Sequence, residues 1–271
     1  MEIFNQLNIA VKPILYTIYL ELKLQKLKFI IISSISIILF ILTGLIPYLS
    51  ISTHPGLPPN QAEYFFSGIM FYLFMVIISV GIFFSGLICT EYQKKTGLTV
   101  FPLINKLKLI IGKFIANYIV VIAISIIYYS FMGIFSYYFY GGPTLYTIFI
   151  SFSFLILYLL ALASITTFVS SLMPSPLPVF AIITGYLLLG GYVIDPLLRS
   201  LGANLEPIYS ISYLYYIVQY TIYPNFAAIE RFDEYSKIWW FPTAESATIM
   251  LIIYAIVFFS LAYLIFKSKQ L

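Results

Sequence analysis

Six long apolar segments separated by short polar ones make up most of the chain. They cover, in order, roughly residues 29–49, 66–89, 114–138, 145–170, 177–194 and 246–266. A helix that crosses a bilayer needs about 20 mostly apolar residues, and these segments have about that length. The pattern therefore predicts an all-α membrane protein with six transmembrane helices, forming a single transmembrane domain over residues 1–271.

The first 28 residues form a basic, amphipathic stretch ahead of the first apolar segment. Apolar residues recur there at helical spacing and share one face: Leu7, Val11, Ile14, Leu15, Ile18 and Leu22. Pro13 predicts that the regular helix begins there. A basic amphipathic helix of this kind is typical of one lying in the inner membrane interface. The alternative is an ordinary cytoplasmic helix that packs on protein.

Residues 195–245, between the fifth and sixth segments, are polar enough to lie outside the membrane. Within them, residues 208–223 are mostly apolar, with Ser, Gln and Thr interspersed. These roughly 16 residues are too few for a straight crossing. We therefore expect the stretch 203–225 to form short external helices that lie on or dip into the outer leaflet without crossing it.

Composition excludes a soluble globular protein, because the chain is 62% hydrophobic and only 9% charged. With six spans, one set of segments carries eleven basic and three acidic residues, and the other carries three basic and seven acidic ones. The positive-inside rule places the basic set in the cytoplasm. The predicted location is the cell membrane, with both termini cytoplasmic.

The chain lacks the residues that most catalytic and ion-transporting membrane proteins need. None of the six span cores contains Asp, Glu, Lys, Arg or His, which argues against proton-coupled transport, pumps and intramembrane proteases. The single His54 and the single Cys89 cannot form a catalytic set or a metal cluster. Gly112-Lys113 is followed by Phe114, where a phosphate-binding P-loop needs Ser or Thr. We expect no enzyme activity, no catalytic residue, no metal site and no cofactor in this chain.

The most distinctive polar segment covers residues 91–113 and reads EYQKKTGLTVFPLINKLKLIIGK. It holds one acid and five of the fourteen basic residues, and lies between the second and third spans. If the second helix continues for one more turn, Glu91 is spaced to pair with Lys94 and Lys95. Gly97 allows the left-handed backbone of a tight turn. The segment is therefore predicted to be an ordered cytoplasmic loop, with a merely solvated charged loop as the alternative.

Four elements of this segment and their spacing carry a resemblance to a known family. They are Glu91, Lys95-Thr96-Gly97, Phe101-Pro102 and Gly112-Lys113-Phe114. Together they resemble the loop after the second span of type-2, exporter-type ABC transporter permeases, notably archaeal ones. Such loops usually carry a Pro-x-Ser-Arg stretch before the Gly-Lys. Here the equivalent residues are Leu103-Ile104-Asn105-Lys106, which keep a positive charge and lack the proline and serine.

The resemblance implies a transport subunit that depends on other polypeptides. The permease would form the substrate pathway as a homodimer or heterodimer, over two copies of a separate P-loop ATPase that binds ATP and Mg²⁺. The N-terminal stretch would be an elbow helix, and no nucleic acid would be involved. The loop would couple to the ATPase through the following residues: Glu91, Lys94, Lys95, Thr96, Gly97, Pro102, Lys106 and Lys113. Aromatic-rich spans would suit a lipid-like, peptide or hydrophobic drug-like cargo.

Three glycines in the fifth span, Gly185, Gly190 and Gly191, permit close approach of another helix. They are explained by packing within the bundle or, given the resemblance, by a dimer seam that lines the transport path.

Two other functions remain open at this level. A membrane scaffold or assembly factor is compatible with the composition, although it has no need of the 91–113 arrangement. A secondary transporter is disfavoured because the spans are uncharged.

Overall fold

The structure is a computed structural model of the 271-residue chain. It describes residues 2–46, 58–93, 105–142, 146–189, 197, 206–234 and 238–269. The long helices of these ranges are α1 (Glu2–Phe40), α2 (Gln61–Phe84), α4 (Lys106–Tyr140), α5 (Thr147–Leu172) and α9 (Ala244–Ser268). The shorter ones are α3 (Cys89–Gln93), α6 (Pro176–Leu189), α7 (Ile211–Leu214) and α8 (Tyr216–Tyr220). A π-helical turn (Ile41–Leu45) extends α1, and a 3₁₀ turn (Phe226–Ala228) precedes a hairpin of β1 (Phe232–Asp233) and β2 (Ile238–Trp239).

Five helical segments of the described chain are long and apolar enough to cross a membrane. They are Lys12–Leu45, Gln61–Gln93, Lys106–Tyr140, Thr147–Leu172 and Ala244–Ser268. The predicted all-α membrane architecture is therefore confirmed, apart from the number of spans. The predicted fifth span corresponds to α6, whose 14 residues extend about 21 Å at 1.5 Å per residue. Its remaining residues, 190–194, lie outside the described ranges, so six spans remain a prediction.

Helix α1 differs from the predicted division into an interfacial helix and a first span. It is one helix of 39 residues, with Pro13 inside it and no break near residue 28. It therefore extends about 58 Å, well beyond the roughly 30 Å of a hydrocarbon core. The expected start of the helix at Pro13 is wrong, because the backbone is already helical from Glu2. No separate elbow helix is present in the described residues.

The bundle has two chemically different ends. We call one of them the basic end. Helices α3 and α5 end there, helices α4 and α6 begin there, and Lys269 lies there, directly after α9. The hairpin end, at the opposite side, is where α2, α5 and α9 begin and where β1 and β2 lie. Helix α6 begins beside the turn between α2 and α3, since a Cβ built at Gly86 would lie 3.6 Å from Pro176. The chain thus passes from the basic end to the hairpin end between α5 and α9.

Helices α1 and α4 start at the basic end and run side by side. Near the start of α4, a Cβ at Gly112 would lie 2.7 Å from the Thr17 Cβ of α1, so only glycine permits this approach. Farther along, the Phe40 ring contacts those of Phe131 and Phe135, with centroids 5.5 and 5.1 Å apart. These contacts fix the position of α1 along α4.

Residues 206–225 enter the bundle from the hairpin end and return to it. Helices α7 and α8 within this segment are largely buried between α2 and α5. At its deepest point, the Tyr215 hydroxyl donates to the Ile69 carbonyl, 2.9 Å away. Ile69 lies about 12 Å along α2 from the hairpin end. We call residues 206–225 the re-entrant segment.

Two hydroxyls of α5 hold the returning half of the re-entrant segment. Ser151 donates to the Val218 carbonyl at 2.6 Å, and Thr147 donates to the Ile222 carbonyl at 2.7 Å. The predicted helicity is confirmed for two short helices, α7 and α8. Protein helices enclose the segment, and its position relative to the outer leaflet remains a prediction. Buried carbonyls need such donors, and lipid tails offer none.

Candidate functional site at the basic end

An interruption of the second long helix determines where the 91–113 segment begins. Helix α2 ends at Phe84, a turn follows, and the separate short helix α3 then starts at Cys89. The turn leaves two backbone N–H groups without helical partners, those of Ile88 and Cys89. Both donate to Ser170 Oγ on α5, at 3.2 Å each. Because buried amides need an acceptor, Ser170 stabilises this break.

Glu91 lies one turn beyond that break and forms an ion pair with Lys113. It is only 6% exposed, although it is a carboxylate at the end of an apolar helix. Lys113 donates to Glu91 Oε1, and its Nζ is also 4.0 Å from Glu21 Oε2 on α1. The side chains of Lys113 and Glu21 are 17% and 14% exposed. This charge cluster of Glu21, Glu91 and Lys113 joins helices α1, α3 and α4.

The described residues give Glu91 a partner in Lys113, and they leave its pairing with Lys94 and Lys95 a prediction. Lys94 and Lys95 lie outside the described residues, as do Thr96, Gly97 and Pro102. Helix α3 is described as far as Gln93, and the charge that contacts Glu91 comes from Lys113, which follows it by 22 residues. The structure therefore brings the two ends of the 91–113 segment together, and the tight turn at Gly97 remains a prediction.

Lys106 holds the C-terminal end of α9. Its ammonium donates to the Lys269 carbonyl at 2.8 Å and to the Phe266 carbonyl at 3.4 Å. The Tyr92 hydroxyl donates to the same Phe266 carbonyl at 3.1 Å. The last carbonyls of a helix lack partners within it and carry partial negative charge, so a lysine there is favourable. Both ends of the 91–113 segment therefore contact α9.

A second lysine ties α9 to α5. Lys269 Nζ donates to the Ser171 carbonyl at 2.6 Å, and it lies 5.3 Å from the centre of the Tyr92 ring. A cation over an aromatic face adds a further attraction. The basic end is thus held by lysines whose donors reach backbone carbonyls, in addition to the charge cluster.

Sequence reasoning identified Glu91, Lys106 and Lys113 and missed their partners. Glu21 could have been noticed in the sequence, because it is the one acid among the lysines of residues 12–28. Ser170 could not, since serines are common in the apolar segments.

Of the three glycines assigned to a seam, only Gly185 is described. No heavy atom lies within 4 Å of the position that its Cβ would occupy. The neighbouring side chains Ile182, Tyr186 and Leu189 are exposed, so this face of α6 is uncovered by the described part of the chain. Contacts with the described residues therefore do not explain Gly185, whereas Gly190 and Gly191 lie outside the described residues.

A separate polar cluster lies at the hairpin end. Arg231 forms an ion pair with Glu206, and its Nε donates to the Phe241 carbonyl at 3.2 Å. The Tyr213 hydroxyl donates to Glu206 Oε1 at 3.1 Å. Burial and, after it, the charge of Glu206 raise the pKa of Tyr213 well above its ordinary value. The hydroxyl stays protonated as a donor, and the cluster fixes the start of the re-entrant segment to the hairpin.

Among the described residues, no group of three or more His, Cys, Asp or Glu side chains could hold a metal ion. What the basic end offers chemically is a set of fixed charges at helix ends, held by ion pairs and by contacts with backbone carbonyls. In comparisons with known proteins, no family model and no curated protein matches the chain.

Proposed function

We propose that the chain is the membrane-spanning permease subunit of an ATP-driven exporter of the type-2 ABC kind. Its cytoplasmic loop 91–113 would dock on a separate ATPase and carry the ATPase movement into the membrane helices. The observation that carries the proposal is the charge cluster, which joins both ends of this loop to α1. The support from the sequence is the spacing of the loop elements and the lack of a P-loop of its own.

The contacts of the loop ends suit a coupling role. Glu91 and Lys113 connect α3 and α4 to α1, while Tyr92 and Lys106 connect the same two helix ends to α9. A force on the middle of the loop would therefore reach four helices together. An ion pair that is this enclosed holds orientation, because its charges have little water to replace the partner.

Six membrane crossings, with the basic end in the cytoplasm, are part of this proposal. The support is that α5 ends at the basic end and α9 starts at the hairpin end, with α6 beginning beside Gly86 between them. A membrane crossing that begins with α6 would raise the number of crossings from five to six. Both termini would then lie at the basic end. The positive-inside rule then assigns that side to the cytoplasm of the cell.

The working assembly would contain two permeases and two ATPase subunits, which bind ATP and Mg²⁺. The second permease, identical or related, would cover the uncovered face of α6 around Gly185. ATP-driven closure of the ATPases would shift the permease pair between inward-facing and outward-facing states.

The test is to look for a P-loop ATPase encoded beside this chain and to reconstitute the two together. The tagged permease should copurify that ATPase and stimulate ATP hydrolysis in liposomes. Gly97→Val, in the middle of the loop, should leave insertion and protein level unchanged and abolish the stimulation, since a β-branched residue resists a left-handed turn.

Glu91→Lys should also abolish stimulated hydrolysis, but it disrupts the charge cluster as well. The matched variant is Glu91→Lys with Lys113→Glu, which restores an ion pair in reversed order. If Glu91 acts through its ion pair, as its burial indicates, this double variant regains both thermal stability and hydrolysis. Failure to copurify any ATPase, or wild-type hydrolysis in Gly97→Val, would contradict the proposal and favour a scaffold.

A further inference from the structure

We propose that one exposed face of α1 binds an anionic phospholipid where this helix enters the membrane at the basic end. The lipid phosphate would lie between Lys23 and Lys26, and the acyl chains would lie along Leu27 and Ile30. These four side chains are exposed, as is Tyr19 on the same face. We call the five residues the lipid face. The proposal does not depend on the proposed transport function, because it concerns α1 and the bilayer alone.

Helical spacing brings the members of the lipid face together. Side chains three or four positions apart are neighbours on a helix surface, so Lys23 and Lys26 are adjacent. Tyr19 lies one turn before the first lysine, and Ile30 lies one turn after the second. Gln25, on the opposite side of α1, is buried against the bundle. The face therefore looks away from the protein and towards the surroundings of the chain.

The charge of the lipid face favours an anionic occupant. Neither Lys23 nor Lys26 forms an ion pair with a residue that the structure describes. The acid closest to them in the sequence, Glu21, lies on the other side of α1, beside Lys113. Two neighbouring ammonium groups can both donate to the oxygens of one phosphate. The positive headgroup of phosphatidylcholine would be repelled by them, so the face favours a lipid with net negative charge.

The order of residues along the lipid face matches the order of groups in a phospholipid. Residues 29–45 of the first span are uncharged and extend about 25 Å, close to the roughly 30 Å of a hydrocarbon core. Lys26 and Lys23 lie about 5 and 9 Å outward from residue 29, at the depth of the headgroups. Ile30 lies on the hydrocarbon side. An acidic protein would match the lysines, but only a lipid also matches this apolar continuation into the membrane.

Lys12 offers an internal control for depth. It is exposed, and it lies on the same side of α1, eleven residues before Lys23. It is therefore about 16 Å farther from the membrane than Lys23. Attraction between exposed charges is largely screened beyond a Debye length of about 8–10 Å. A lipid site at the headgroups thus depends on Lys23 and Lys26 and does not need Lys12.

The experiment measures lipid selectivity beside the face, in the full chain reconstituted into phosphatidylcholine nanodiscs. Ile31→Cys, in a Cys89→Ser background, carries a bimane fluorophore that brominated acyl chains quench. From the quenching, brominated phosphatidylglycerol should bind about tenfold or more tightly than brominated phosphatidylcholine with the same chains. The double variant Lys23→Gln with Lys26→Gln should lower this preference at least about fivefold. Lys12→Gln should leave it unchanged.

A charge-retaining variant separates charge from general disturbance. Lys23→Arg with Lys26→Arg should keep the preference for phosphatidylglycerol, and thermal unfolding of every variant, measured in parallel, shows that each is folded. Three results would overturn the proposal: equal quenching by the two lipids, an unchanged preference in the glutamine double variant, or an equal loss in Lys12→Gln. A double variant that keeps its lipid preference and loses a copurifying protein would assign the face to an acidic protein instead. Loss of lipid selectivity leaves ATPase copurification untouched, so the two proposals fail separately.

Discussion

Replacing Lys113 by methionine removes the ammonium group that lies between the Glu91 and Glu21 carboxylates. Methionine keeps the length and apolar stem of the side chain, so the change is mainly one of charge. Removing one partner of a buried ion pair costs about 3–5 kcal/mol, because the other charge remains buried. Lys113 retains 17% exposure, so we expect the lower limit, about 3 kcal/mol.

This loss is measurable as a thermal shift. About 2–4 °C of Tm per kcal/mol is typical of chains approaching this size, which gives a decrease of about 6–12 °C. The assay is the fraction of monodisperse protein after heating, followed by size-exclusion chromatography in detergent. Lys108→Met is the matched control on the same helix, since Lys108 makes no ion pair with the described residues. It should change Tm by about 2 °C at most.

The double variant Glu91→Gln with Lys113→Met provides the decisive comparison. It removes the buried carboxylate that has lost its Lys113 partner, so it should be more stable than Lys113→Met alone, by about 1–3 kcal/mol. Equal decreases in Tm for Lys113→Met and Lys108→Met would refute the reasoning. So would a double variant that is no more stable than the single one.

Three further outcomes are expected. Gly112→Val should lower Tm markedly, whereas Gly133→Val on the same helix should not, because only the first glycine is in close contact with Thr17; equal shifts would contradict this. Cysteine at Gly185 should crosslink between two copies in native membranes, and a lack of dimer at every described α6 position would reject the seam. Tags at Lys237 and at the C-terminus should label from opposite sides of the membrane, and labelling from one side would show that the topology is wrong.

The helix limits show what hydropathy predicts and what it leaves out. The apolar run 114–138 predicts the third span, but α4 begins earlier, at Lys106. The apolar pattern ends where charged residues begin, whereas the backbone hydrogen bonds of the helix continue through those residues. The same reason explains α1, in which the lysine-rich residues 12–28 continue directly into the span. Predicted limits therefore mark the apolar part of each helix and not its full length.

The charge cluster was only partly predictable, because its partners are distant in the chain. Local spacing favoured Lys94 and Lys95 for Glu91, while the pairing with Lys113 depends on the helix break that Ser170 holds. No pattern in a single sequence identifies one serine as the acceptor for two backbone amides of a distant segment. The residue types of the site were predictable, and their pairing required the tertiary structure.

The re-entrant segment has a consequence for biogenesis. Its carbonyls at Val218 and Ile222 depend on hydroxyls of α5, and Tyr215 depends on a carbonyl of α2. None of these partners is available to the segment until both helices have inserted and associated. If the hairpin end lies outside the cell, as proposed, the segment would be translocated first and fold back afterwards, as one of the last steps of maturation. Chains arrested before that step would hold all their long helices and still leave an open slot between α2 and α5, a target for membrane quality control.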